Sequence, residues 1–162
     1  MDMEALEIEP YVIEFDRQAT IDAYARMKTP GPERCGCWDC RNWAAGRDTL
    51  VPPALRAILE RLGIPLAGEI EVWELPGDRA PHMYGGFYMF VGRILEGPQD
   101  WRLGPTVDGW HLYLTMGRSF PVPAFDGLTT SELGFLVDEV GDFIEPPPDR
   151  RDASPTRPER QA

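Results

Sequence analysis

The spacing of apolar residues changes near Glu69, and the change predicts two kinds of element. Before it, the clearest pattern runs from Pro53 to Gly63. Leu55, Ile58, Leu59 and Leu62 make one stripe, Arg56 and Glu60 lie opposite, prolines open the run and Gly63 closes it. That is the signature of an amphipathic helix. A weaker helix is expected from Arg17, capped by Asp16, with Ile21, Tyr24 and Lys28 on one stripe and the run Pro30-Gly31-Pro32 at its end. A third is expected over Arg41 to Arg47, with Trp43 and Ala44 turned inward. Leu6 to Phe15 alternates and is interrupted by Pro10, which has no N–H to give a ladder. This stretch reads as a strand pair or one broken strand at an edge.

From Glu69 the period is that of sheet. Glu69 to Leu75 alternates, and Pro76-Gly77-Asp78 supplies a turn signal. His82 to Leu95 is apolar on both faces, as a central strand must be. Gly85-Gly86 within it reads as a bend or bulge that lets the crowded strand curve. Trp110 to Met116 alternates cleanly, and Leu133 to Val137 gives a last strand. Helices first and strands later predict an α+β domain: an antiparallel sheet of about four to six strands with short helices packed on one face. Residues 1–145 form one acidic globular domain in this reading. Residues 146–162 hold no apolar side chain larger than proline, so a disordered Pro/Arg-rich tail is expected there.

Charge narrows the choice of partner. The chain has 27 acids against 16 bases, a net charge of −11, and Lys28 is its only lysine. No basic run gathers against a phosphate backbone or an anionic lipid surface, so neither nucleic acid nor membrane is expected as a partner. No apolar run reaches the roughly 20 residues that span a bilayer, and the first ten residues lack the basic start and apolar centre of a signal peptide. An odd number of cysteines favours a reducing compartment, which makes the cytoplasm the default.

All three cysteines fall within Cys35-Gly36-Cys37-Trp38-Asp39-Cys40. Three thiols so close can converge on one point, and Cys40 is expected in the first turn of the Arg41 helix. There, free N–H groups and the helix dipole favour the thiolate that a metal requires. Cys35, Cys37 and Cys40 are therefore candidate metal ligands, with zinc as the candidate ion. Zinc prefers four ligands. His82 is the leading candidate for the fourth, with His111, Asp39 or a water as alternatives. Thiol redox chemistry and plain packing of small buried side chains compete with this reading. No phosphate loop, dinucleotide-binding glycine pattern, nucleophile elbow or zinc-protease motif is present.

The run CGCWDCRNW, the proline-led helix ending in LERLGI, and the later HMYGGFYMFVGRI occur in an order that resembles an uncharacterised family of small bacterial proteins. That family carries a C-x-C-x-x-C-R-N-aromatic motif and a later Y-G-G-aromatic strand. The resemblance covers roughly residues 5 to 140. It implies that the cysteines, Arg41, Asn42 and Trp43 work with Tyr84, Gly85 and Gly86 as one structural unit, and it implies no activity. The expected function is a non-enzymatic interaction or accessory module, stabilised by zinc at the cysteines. Its partner would be another protein or a second copy, met through an aromatic sheet face drawn from Trp73, Tyr84, Phe87, Tyr88, Phe90, Trp110 and Tyr113. The alternative is a metal- or thiol-dependent enzyme with its site at the same cysteines.

Overall fold

Pro10 falls in the turn of a hairpin, so the first alternating run becomes two strands, β1 (Met3–Ile8) and β2 (Tyr11–Asp16). These belong to a computed structural model that describes residues 2–29, 31–75 and 80–148. Asp16 ends β2 and caps α1 (Arg17–Arg26), its side chain accepting the Ala19 N–H at 2.9 Å; such a cap contributes about 1 kcal/mol. A five-residue helix, α2 (Gly31–Cys35), follows, too short to show a period in sequence. α3 (Trp38–Leu50) is longer than the expected Arg41–Arg47 because its cap is Cys37. α4 (Pro53–Leu62) has the expected bounds and ends at Gly63, whose φ of 80° is left-handed.

The remaining strands are β3 (Glu71–Leu75), β4 (His82–Glu96), β5 (Thr106–Val107), β6 (Trp110–Met116) and β7 (Thr130–Val140). Every pairing is antiparallel, in the order β1-β2-β4-β7-β6-β5, with β3 also on β4. An antiparallel sheet with short helices against it is the expected architecture. The turn expected at Pro76-Gly77-Asp78 and residues 149–162 of the expected tail lie outside the described residues. Among the described residues, no helix is long and apolar enough to cross a membrane.

β4 organises the sheet. β7 lines one of its edges, while the other is shared by β3, opposite Met83 to Phe87, and β2, opposite Gly92 to Glu96. Between β3 and β2 the ladder is completed by side chains of α1. Tyr24 Oη accepts the Met89 N–H at 3.0 Å and donates to the Met89 carbonyl at 2.9 Å, and Thr20 Oγ1 accepts the Val91 N–H at 2.9 Å. β4 runs unbroken through Gly85 and Gly86, and its register shift against β7 falls between His82 and Tyr84 rather than at the glycines. They are sites of close approach. A Cβ at Gly85 would lie 2.6 Å from the Trp73 indole, and one at Gly86 would lie 2.6 Å from the Phe135 ring.

The two faces of β4 feed two apolar clusters. Tyr84, Tyr88 and Phe90 join Trp43, Leu55, Leu59, Trp110 and Phe135 beneath α3 and α4. Phe87, Met89 and Val91 join Ala23 of α1 and Val122 and Phe125 of the 118–128 loop. Trp43 is the anchor of the first, fully buried and stacked on Phe135 at 5.2 Å.

Candidate metal centre

The junction between α2 and α3 is built from the cysteines themselves. Cys35 ends α2, and Gly36 turns the chain with a φ of 68°, a conformation that glycine adopts without steric cost. Cys37 caps α3, its Sγ accepting the Cys40 N–H at 3.4 Å. The pattern C-G-C-W-D-C thus brings the three Sγ atoms within 4.8 Å of one another. Thiolates on one tetrahedral zinc stand about 3.8 Å apart, given Zn–S bonds near 2.3 Å. The cluster is capable of coordinating a metal ion with small adjustments of χ1. Among the described residues it is the one such group of three or more His, Cys, Asp or Glu donors.

Exposure and protonation differ across the three. Cys35 and Cys37 are exposed and Cys40 is buried. Hydrogen bonds from the Cys37 backbone, then from the Cys37 and Cys40 side chains, hold the Cys35 thiol below the ordinary range. Burial pushes the Cys40 thiol up, with the neighbouring sulfurs adding to the effect. Cys40 becomes a thiolate readily only where a cation supplies compensating charge, which is what a metal does.

His82 stands apart from the thiols. It is buried, with Nδ1 2.7 Å from Glu74 Oε1 and Nε2 2.6 Å from Asp142 Oδ1, so both ring nitrogens are engaged by carboxylates. Its ring packs 5.4 Å from Trp38. Glu74 also meets Asp39, and burial, followed by that contact, pushes its carboxyl above the ordinary range while His82 pulls it back. His111 lies elsewhere, its Nε2 2.7 Å from the Trp101 carbonyl.

Asn42, two residues beyond Cys40, uses its whole amide. Nδ2 donates to Tyr84 Oη at 3.2 Å and to the Gly141 carbonyl at 3.1 Å, while Oδ1 accepts the N–H groups of Phe143 at 2.6 Å and Ile144 at 3.2 Å. Tyr84 Oη in turn donates to the Asp39 carbonyl at 3.1 Å. The Arg41 side chain is exposed. Trp43 donates its indole N–H to Glu69 Oε1 at 3.1 Å.

Glu69 introduces a centre that the alternation of the sequence did not announce. It is fully buried, paired through both oxygens with Arg47 (Nη2 to Oε2 at 2.7 Å), and Arg47 reaches on to Glu33 at 2.9 Å. Burial pushes the Glu69 carboxyl up, and the guanidinium and indole N–H pull against it. The partners are 22 residues apart in sequence, and only the fold brings them together.

No family model, curated protein or solved structure matches this chain. The resemblance to the bacterial family therefore rests on the motifs quoted above.

Proposed function

We propose that this domain binds one zinc ion through Cys35, Cys37 and Cys40, and that it works as a non-enzymatic accessory or interaction module whose cysteine junction the metal fixes. The observation that carries the reading is the convergence of three sulfurs at a helix junction, two exposed for metal entry and one buried. Soft thiolates select zinc and similar d10 ions over the hard, oxygen-seeking cations. With both nitrogens of His82 held by carboxylates, His111 on the Trp101 carbonyl and Asp39 meeting Glu74 outside the thiol cluster, we assign the fourth coordination position to water or to a donor brought by a partner. Elemental analysis of protein purified under reducing conditions tests this reading. One equivalent of zinc is expected, lost in Cys40→Ser; well under half an equivalent of any transition metal sinks it.

The interaction role draws support from the second face of the sheet. Phe87 is buried there and Trp73 is half-buried over Gly85. A groove of about 330 Å³ stays open between Met83, Trp101, His111 and Leu136, and Trp101 is 48% exposed. A homodimer through this groove is the form to test first. Light scattering at micromolar concentration should then give twice the monomer mass, falling to the monomer in Trp101→Ser. A wild type that scatters as a monomer would remove the dimer form of the reading.

The enzyme reading has one observation in its favour: Cys35 is exposed and its thiol is held below the ordinary range, as a nucleophile's would be. Alkylation of Cys35 that zinc fails to slow would favour thiol chemistry over a metal site.

A further inference from the structure

α3 begins at the thiols and also carries the last described stretch of the chain. After β7 the backbone runs back over α3 as a strap, residues 141–145, and three residues of the helix hold it. Trp38 donates its indole N–H to the Glu145 carbonyl at 2.9 Å. Asn42 binds Gly141, Phe143 and Ile144 as described. Gly46 leaves room for the Phe143 ring, which a Cβ there would meet at 2.4 Å. Positions 38, 42 and 46 are spaced by four, so they form one stripe along the helix. From the side, His82 holds Asp142.

The strap is otherwise at the surface. Residues 141, 142, 143 and 145 are exposed, so little buried apolar area secures it. Its seating depends on the α3 stripe, and the first turn of that stripe depends on the cysteines. The side-chain cap of α3 is a thiol sulfur, a weak acceptor compared with the oxygens that favour this position. A metal held by Cys35, Cys37 and Cys40 would tie the end of α2 to both sides of Trp38 and Asp39, fixing the turn that presents the Trp38 indole.

We propose that the 141–145 strap is a latch regulated by the thiol site: metal at the cysteines holds it down on α3, and loss of the metal releases it. The proposal rests on the metal-binding reading and adds to it a coupling between two places. Such coupling is reciprocal, so whatever unseats the strap must also weaken the metal.

The test is hydrogen exchange on the full chain, with zinc(II) alone or a chelator added. The Phe143 and Ile144 amides, which donate to Asn42, report the latch; the Leu133 and Phe135 amides of β7, a strand paired on both sides there, report global stability. Zinc is expected to slow the first pair by about tenfold more than the second, a typical coupling strength. Gly46→Ala supplies the reverse arm. Alanine strengthens an interior helix position while its methyl displaces Phe143, so the fold persists and the strap does not seat. In this variant the extra protection should vanish and zinc affinity should fall several-fold. One bound zinc with unchanged exchange at Phe143 and Ile144, or Gly46→Ala binding zinc as the wild type does, overturns the latch alone. Absence of bound zinc overturns the metal reading, and the latch with it, and it shows in the stoichiometry before any exchange is measured.

Discussion

In the C-terminal half of α3, Arg47 is buried and paired through two hydrogen bonds with Glu69, which lies just before β3, and Trp43 and Glu33 take further positions. At the N-terminal turn of the same helix, two of three thiols are exposed, and the bond that caps the helix is a long one from the Cys40 N–H to Cys37 Sγ. Both ends concentrate polar side chains against their neighbours. One end pairs its charges with one another inside the fold, as a buried charge must to offset its desolvation. The other leaves soft donors clustered and accessible. Saturation marks groups that the fold requires, and unspent convergence marks groups available to something from outside.

The largest test of this contrast is Glu69→Ala. It strands a buried guanidinium and should cost about 4 kcal/mol in urea denaturation, whereas Glu69→Leu with Arg47→Met should recover much of that loss. A cost under 1 kcal/mol for the single change would erase the contrast from its structural side. Next comes the metal. Zinc at a hundred times its dissociation constant should add about 2.7 kcal/mol of stability. Cys40→Ser should abolish that gain while leaving the Arg47–Glu69 centre intact.

A third comparison sets two buried hydroxyls side by side. Tyr24→Phe removes both partners of Met89 and should cost about 2 kcal/mol. Tyr88→Phe should change stability by less than about 0.5 kcal/mol, because its hydroxyl has no partner among the described residues. Burial raises both phenols above their ordinary value of 10.0. A folded-state value above the unfolded one gives stability that is present below pH 10 and lost as the pH climbs past it. Phenolate absorbance from Tyr24 and Tyr88 should therefore emerge together with alkaline unfolding rather than ahead of it. The smallest effect belongs to Cys35→Ser, which should leave apo stability within about 0.5 kcal/mol yet weaken zinc binding; a large loss of apo stability would place Cys35 with the groups the fold requires.

Legibility in the sequence followed the range of the interaction involved. α4 and β6 were readable because periodicity is local: Leu55, Leu59 and Leu62 repeat within one helix, and Trp110, Leu112 and Leu114 within one strand. The cysteines were readable as a cluster because six residues contain them all. α2 was hidden by its brevity. The Arg47–Glu69 pair, the His82–Asp142 contact and the strap on Asn42 were hidden because their partners lie 22, 60 and about 100 residues apart. Glu69 also read as the polar start of an alternating strand. Gly46 sits four residues from Asn42, which sits four from Trp38, and that spacing was the visible sign that something lies along this side of α3.

The α1 side chains that complete the β4 edge carry one more consequence, for how the chain can change length. Thr20 and Tyr24 are one helical turn apart, about 6 Å along the axis. Val91 and Met89 are two strand residues apart, about 6.8 Å. The two rulers match in length, and the Asp16 cap sets which face of α1 carries both hydroxyls. Adding or removing one residue between Asp16 and Thr20 would rotate both hydroxyls by about 100° around the helix, leaving the Met89 and Val91 N–H groups without acceptors. The hairpin turn at Glu9-Pro10 faces no such gauge. Insertions should accumulate there, while the count from Asp16 to Tyr24 stays fixed.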